Sequence, residues 1–193
     1  MLFLTNRFPK TSIQSVEGRK FVFDLKNNAA SHSFYFCKRN GPEDYSEIGG
    51  TDFLTELKNS KYRQILLFIH GFSNMPKDIF ERAIELQQLC DSKSANEALV
   101  VPIIWPCDSD LGIVKDYWDD QKSADFSAQS LSRALSRFME WRQSPANTPE
   151  SDPCLKRINV LAHSMGNRVL RETLRRERPL AAGTAIASGV AEA

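Results

Sequence analysis

A serine set between two small residues is the strongest chemical feature of the sequence. Residues 162–166 read Ala-His-Ser-Met-Gly, with Ser164 at the centre. A serine hydroxyl becomes a good nucleophile only when a base takes its proton and donors stabilise the oxyanion that forms. A sharp turn from strand to helix exposes such a serine, and small residues two positions before and after it relieve the crowding. Ala162 and Gly166 hold those positions, so the segment predicts a nucleophile elbow with Ser164 as the catalytic nucleophile.

The segments on either side of the serine are of the types that such an elbow requires. The apolar run 157–162 predicts a strand, and residues 165–176 predict a helix. The N-terminus of that helix would place the positive end of a dipole where negative charge develops. A simpler alternative is that Ser164 only caps the helix.

A second segment ends in a sharp turn after a buried strand. Residues 64–70 are nearly all apolar, and His70-Gly71-Phe72 follows at the end of that run. Glycine allows the backbone to approach a ligand closely. The alternative is a plain strand-to-helix turn at Gly71. Because both segments lie in a consistent order on matching element types, we favour the catalytic interpretation.

Three apolar runs, each followed by a helical pattern, must position these residues. The runs are 64–70, 99–105 and 157–162, and the helical patterns cover 77–91, 118–142 and 165–176. Such alternation predicts a parallel sheet with helices on its faces. Pro102 lacks the N–H that a central strand needs, so we expect it at a strand start or beside a bulge. In helix 118–142, spacings of four and three predict one face on the sheet and an opposite face in water. The predicted sheet-facing residues are Ala124, Ala128, Leu131 and Leu135, and the predicted water-facing residues are Asp125, Arg133 and Glu140.

The N-terminal sixty residues read as strands and turns. Residues 20–24 and 33–37 predict two strands joined by a hairpin loop at 27–31. Residues 51–59 predict a short helix capped by Thr51 or Asp52.

At this point a family resemblance is visible in two segments. Residues 66–72, Leu-Leu-Phe-Ile-His-Gly-Phe, and residues 158–168, Ile-Asn-Val-Leu-Ala-His-Ser-Met-Gly-Asn-Arg, resemble the α/β-hydrolases. Within them the chain is similar to a DUF900-like group of esterase/lipase-like hydrolases of unknown function. Trp105-Pro106 and the region 117–127 are also similar, so the resemblance covers roughly residues 51–176. Ala162 departs from the family pattern Gly-x-Ser-x-Gly.

The resemblance implies a fold and a set of roles. The fold is α/β, with a mostly parallel sheet, helices on both faces and strand 64–70 between the other two. The N–H groups of Phe72 and Met165 would form the oxyanion hole. The supporting elbow and turn residues would be Ala162, His163, Gly166, His70 and Gly71. A triad of Ser, Asp and His in that chain order is also implied.

The acid and the histidine of that triad have no obvious counterparts here. No Asp or His follows Ser164 in the sequence, and the only histidines are His32, His70 and His163. We expect His32 to be exposed, His70 to belong to the oxyanion strand, and the His163 side chain to point away from the site. We therefore expect a chain shortened after the nucleophile helix, with the C-terminal strands missing.

Composition excludes several other classes of function. The formal net charge is +1, with 41% hydrophobic and 25% charged residues, which suits a soluble domain that binds neither nucleic acid nor an anionic membrane. No apolar stretch is long enough to span a membrane. The four cysteines are widely spread, which favours a cytoplasmic location. Neither a metal nor a cofactor is expected, and we attribute the acidic cluster to solvation of a loop and a helix start. Its members are Asp108, Asp110, Asp116, Asp119 and Asp120.

We therefore predict one incomplete α/β-hydrolase domain over residues 1–193. It comprises an N-terminal strand region (1–60), a βαβαβα core (61–178) and a low-complexity tail (179–193). Two hypotheses remain open: a serine hydrolase acting on ester-like, small-molecule acyl substrates, or a non-catalytic remnant that binds an apolar ligand or a protein partner.

Overall fold

The computed structural model describes residues 1–107, 113–143 and 156–176, with side chains described for all of these except 113–120 and 142–143. Six strands and four helices lie in these ranges. The strands are β1 Leu2–Arg7, β2 Ala30–Gly41, β3 Asp44–Glu47, β4 Gln64–Ile69, β5 Ala98–Ile104 and β6 Arg157–Ala162. The helices are α1 Gly49–Asn59, α2 Pro76–Lys93, α3 Ile113–Gln143 and α4 Gly166–Arg176.

All six strands form one mixed sheet in the order β3-β2-β1-β5-β4-β6. The four strands from β1 to β6 in that order run parallel, and β2 and β3 add an antiparallel edge. The predicted placement of 64–70 between the other two parallel strands is confirmed. Within the described residues, β6 pairs only with β4 and so forms the other edge of the sheet.

Helices cover both faces of the sheet, as predicted. Successive residues of a strand point to opposite faces, so each inner strand supplies two cores. On one face α2 packs Ile79, Phe80 and Ala83 against Phe68 and Val100. On the other face α1, α3 and α4 pack against the odd-numbered residues of β4 and β5 and the even-numbered residues of β1, β2 and β6. Members of that second core include Leu57, Leu131, Val169, Ile65 and Ile103.

The predicted N-terminal hairpin is wrong. Residues 20–24 form no strand, and only the isolated bridges Lys20–Ser46 and Pro9–Phe23 tie them to the sheet. Phe21 and Phe23 alternate because both side chains enter an aromatic cluster, not because their backbone joins a ladder. The strand that pairs with β2 is β1, which sequence patterning did not single out.

Pro102 also differs from its predicted place. It lies inside β5, in register with Phe68 of β4, rather than at a strand start or a bulge. Alternate residues of a strand direct their backbone nitrogens to the same side of the strand, so the Pro102 nitrogen lies on the same side as the N–H of Val100. That N–H donates to the Gln87 side chain at 2.8 Å. Pairing between β5 and β1 begins only at Ile103, so the Pro102 nitrogen lies before the first paired residue and its missing N–H costs no hydrogen bond to β1.

Helix boundaries differ modestly from those predicted. α1 begins at Gly49 with Ile48 as its N-cap, so neither Thr51 nor Asp52 is the cap. Pro76 occupies the first turn of α2, where a backbone N–H would have no partner within the helix.

In α3 the predicted apolar face packs on the sheet. Ala124, Ala128 and Leu131 are buried, and Leu135 is half-buried. Asp125 was expected in water, but it is half-buried and binds Arg168 of α4 through both carboxylate oxygens, at 2.9 and 3.0 Å.

Several predictions concern residues outside the described ranges. One of these is the low-complexity tail 179–193. The acidic cluster at 108–120 lies where side chains are not described. Within the described helices, none is long and apolar enough to cross a membrane.

Candidate functional site

Ser164 lies on the tight turn between β6 and α4. Its φ is +50°, a left-handed backbone conformation that residues with a side chain seldom adopt. Such strain persists only where surrounding structure enforces it, and it is concentrated at functional sites. The Ser164 side chain is exposed. Strand, strained turn and helix therefore follow one another as a nucleophile elbow requires.

Backbone hydrogen bonds hold the turn in this shape. The His163 N–H donates to the Ile69 carbonyl at 3.0 Å, which extends the β6–β4 pairing by one residue. The Gly166 N–H then donates to the His163 carbonyl at 2.8 Å. The Ser164 carbonyl accepts from the Asn167 N–H at 3.0 Å and from Asn167 Nδ2 at 3.1 Å.

Gly166 is required by the space around it. A Cβ added there would lie 2.6 Å from the carbonyl oxygens of both His70 and Ile69. Both contacts are with backbone, which cannot rotate away. The small residue two positions after Ser164 therefore allows α4 to start directly against the end of β4. Ala162, two positions before Ser164, is half-buried at the end of β6.

The turn after β4 touches the elbow although ninety-odd residues separate them in sequence. A Cβ added to Gly71 would lie 2.9 Å from Ser164 Cβ and 2.8 Å from His163 Nδ1. The structure thus brings together the two segments singled out by sequence. It also explains why glycine follows His70: a side chain there would collide with Ser164.

The peptide between Gly71 and Phe72 is held in one orientation. Its carbonyl oxygen accepts from His70 Nδ1 at 2.9 Å and from Asn74 Nδ2 at 3.1 Å. In a planar trans peptide the N–H points opposite to the carbonyl. Fixing the Gly71 carbonyl therefore also fixes the direction of the Phe72 N–H.

His70 is a buried structural residue and not a general base. Its Nε2 accepts from the Trp105 N–H at 3.1 Å, so Nδ1 carries the proton donated to Gly71. Its ring stacks on the Trp105 indole, with centroids 5.0 Å apart. The indole N–H in turn donates to the His70 carbonyl at 2.9 Å. Burial is the main cause that lowers the pKa of His70 to about 3, so the ring is neutral near pH 7.

Asn74 and Cys107 complete this support, and sequence reasoning missed both. Asn74 is 4% exposed, and its Nδ2 also donates to the Phe72 carbonyl at 2.6 Å. The Cys107 thiol donates to the Asn74 carbonyl at 3.1 Å, which ties the turn to the segment after β5. An asparagine three residues after Gly71 is a weak turn signal that could have drawn attention to Asn74. No sequence signal indicates Cys107.

We expected the His163 side chain to point away from the site, but it does not. It lines the same cleft as Ser164 and is exposed. The strand alternation on which that expectation rested ends at Ala162, and the turn that follows re-aims the next side chain. No described residue forms a hydrogen bond to Ser164 Oγ. His32 is exposed on β2, three strand spacings from β4, or about 14 Å.

A cleft of about 550 Å³ opens beside Ser164. Its lining combines apolar side chains of β4, α2 and β6 with polar groups of the elbow. The lining residues are Phe68, Arg82, Leu86, Leu161, Ala162, His163, Ser164 and Asn167. Within the ranges that the structure describes, no group of three His, Cys, Asp or Glu side chains could hold a metal ion.

Comparison with known proteins gives one match. The model of a family described as an alpha/beta hydrolase of unknown function (DUF900) matches residues 47–182, well over half of the chain. No curated protein matches, and no solved structure matches. The six-stranded, mostly parallel sheet with helices on both faces agrees with that description. The chain therefore belongs to the DUF900 family of alpha/beta hydrolases.

Proposed function

We propose that the chain is a serine hydrolase of ester-like acyl substrates, with Ser164 as the nucleophile. The observation that carries the proposal is the contact between the two turns. Ser164 is exposed at a φ of +50°, and its Cβ lies against Gly71, whose carbonyl is held by two side-chain donors. A strained serine beside an oriented peptide supplies two of the parts that nucleophilic acyl transfer needs, a nucleophile and an oxyanion donor.

In the proposed reaction Ser164 Oγ attacks the substrate carbonyl carbon, and its proton passes to an imidazole base, which either His163 in the same cleft or a histidine of another subunit would supply and which later returns the proton to the leaving alcohol. The carbonyl oxygen becomes an oxyanion, which the N–H groups of Phe72 and Met165 would stabilise. The ester bond then breaks, and the alcohol leaves with a proton while an acyl-serine remains. Water hydrolyses that acyl-serine to the acid and restores the hydroxyl.

His70 and Asn74 act in this scheme as positioning residues. Their bonds to the Gly71 carbonyl aim the Phe72 N–H, and a carbonyl that accepts two donors polarises the N–H of the same peptide. The lowered pKa of His70 keeps its ring neutral, and because Nε2 accepts from the Trp105 N–H, the single ring proton is on Nδ1 and is donated to the Gly71 carbonyl. A preformed donor of this kind needs no reorganisation during the reaction.

A second candidate function is ligand binding without turnover. The observation that favours it is that no described histidine contacts Ser164 Oγ, while His70 is buried and already uses both ring nitrogens. The apolar wall formed by Phe68, Leu86 and Leu161 could then hold an acyl chain without cleaving an ester.

The test is addition of an alkyl trifluoromethyl ketone followed by ¹⁹F NMR. Such a ketone forms a hemiketal with a nucleophilic serine, and its oxyanion would occupy the proposed hole. We expect a hemiketal resonance with the 193-residue chain and with Ser94→Ala, which removes an exposed serine after α2. We expect none with Ser164→Ala. A hemiketal that persists in Ser164→Ala would refute the proposal. If the ketone bound the original chain and Ser164→Ala with equal strength and formed no hemiketal with either, the binding function would be favoured.

A further inference from the structure

The cleft beside Ser164 contains one charged side chain, that of Arg82 on α2. Among its described lining residues no carboxylate occurs. Arg82 is exposed and makes no ion pair or hydrogen bond with any residue that the structure describes. Of the acidic residues near it on α2, Asp78 accepts from the Met75 N–H, and neither Glu81 nor Glu85 forms an ion pair with Arg82. Arg82 therefore brings to the lining of the cleft a positive charge that no described carboxylate pairs with.

The rest of the cleft is arranged between this charge and the serine. Phe68, Leu86 and Leu161 supply an apolar wall, and Ser164 stands at the N-terminus of α4. The cleft thus offers a nucleophile, an apolar stretch and a free cation in one space.

We propose that this cleft selects acyl substrates whose tail ends in a carboxylate, with Arg82 binding that carboxylate. The inference rests on the proposed function, because it assigns the substrate class of the same site. Ser164 would attack the carbonyl at the head of the acyl group, and the methylene chain would lie along Phe68, Leu86 and Leu161. A guanidinium presents paired N–H donors that match both oxygens of a carboxylate.

An ordinary fatty acyl chain would leave Arg82 without a partner, whereas a carboxylate-ended chain would gain an ion pair. An exposed pair of this kind is modest in strength and is weakened by salt. We therefore expect a preference of about fivefold in affinity, which increases at low ionic strength.

The experiment compares two alkyl trifluoromethyl ketones of equal chain length, one ending in a methyl group and the other in a carboxylate. ¹⁹F NMR titration gives the Kd of each Ser164 hemiketal. The original chain should bind the carboxylate-ended ketone about fivefold more tightly. Arg82→Leu should lose that preference, and Arg82→Lys should keep part of it. Arg63→Leu is the matched control, because Arg63 is an exposed arginine that precedes β4 and lies at the opposite end of that strand from Ser164.

The outcomes separate the two proposals. Equal affinity for both ketones in the original chain overturns the substrate assignment but leaves the serine hydrolase intact. A preference that survives in Arg82→Leu, or that Arg63→Leu removes equally, overturns the role of Arg82. If neither ketone forms a Ser164 hemiketal, the proposed function itself fails and the substrate assignment fails with it.

Discussion

Replacing Gly166 by alanine should disrupt the elbow more than any other single methyl group added to the described chain. The new Cβ would lie 2.6 Å from the carbonyl oxygens of Ile69 and His70, whereas ordinary Cβ contacts begin at 3.4 Å. Each oxygen is overlapped by roughly 0.8 Å, and both belong to the backbone at the end of β4. Either α4 must move outward or the end of β4 must bend.

The expected cost follows from this overlap. Overpacking in a rigid interior costs about 1–3 kcal/mol, and two backbone collisions place this site at the upper end. We expect Gly166→Ala to lower the free energy of unfolding by about 3 kcal/mol. For a chain of this size that corresponds to a fall in Tm of roughly 6–12 °C. A shift of the elbow by even part of an ångström should also reduce hemiketal formation at Ser164, since misplacement by 1 Å can cost about 10²-fold.

Urea unfolding and calorimetry measure the first effect, and ¹⁹F NMR with the trifluoromethyl ketone measures the second. Gly50→Ala is the matched control, because Gly50 lies in α1 and an added Cβ would meet only the Phe36 ring, at 3.7 Å. Alanine there should be neutral or stabilising by up to about 1 kcal/mol. If Gly166→Ala and Gly50→Ala had the same stability within about 0.5 kcal/mol, the close approach of α4 to β4 would be wrong.

The remaining predictions concern the core, the pH response and the activity. Leu131 is 1% exposed, so Leu131→Ala should lower the free energy of unfolding by about 2–5 kcal/mol, and a change near zero in urea unfolding would mean that α3 is not packed as described. The pKa of His70 is 6.5 in the unfolded chain and about 3 in the folded chain. The free energy of unfolding should therefore fall as the pH drops from 6.5 to about 3, by about 1.4 kcal/mol per pH unit. Because His70→Gln removes this titration, its stability should vary less over the same window, and equal slopes for both proteins would contradict a buried neutral His70. The purified 193-residue chain should turn over short p-nitrophenyl esters only slowly, since no described histidine contacts Ser164 Oγ; rapid Ser164-dependent turnover would indicate His163 or a histidine of another subunit as the base.

The parallel core was predictable because its physical signals are strong. Strands buried on both faces read as continuous apolar runs, and the helices between them repeat every three to four residues. β6 was predicted with its observed bounds, and β4 and β5 within one residue. The order with β4 in the middle came from the family resemblance and not from periodicity.

The N-terminal region was harder to predict because alternation there has a different cause. Phe21 and Phe23 are buried through aromatic contacts while their backbone forms only isolated bridges. β1 is buried at every residue, polar ones included, so Thr5, Asn6 and Arg7 mask the apolar signal of an inner strand. Their polar groups are satisfied in part by partners about a hundred residues away, such as the Ile104 carbonyl that accepts from Thr5 Oγ1 at 2.8 Å.

The two motifs of the candidate site could be predicted from the sequence, but their arrangement in space could not. The small residues around Ser164 and the glycine after His70 follow from local crowding, which sequence reveals. The orientation of His163 depends on where strand alternation stops. Asn74 and Arg82 lie near the candidate site only because α2 and the turn before it pack back on the sheet beside β5, and no local pattern carries that information.

The central position of β1 constrains how the chain reaches its folded state. β1 pairs with β2 nearby, but its other neighbour is β5, through the pairs Leu4–Ile103 and Thr5–Ile104. After β1 is synthesised, about a hundred further residues must be added before β5 can cover its second edge. Closing so long a loop is entropically costly and slows folding. The β1–β2–β3 ribbon can form early and alone, with the edge of β1 open to pairing with other nascent chains. Folding yield should therefore depend on how quickly β5 docks, and rapid synthesis at high chain concentration should favour aggregation through β1.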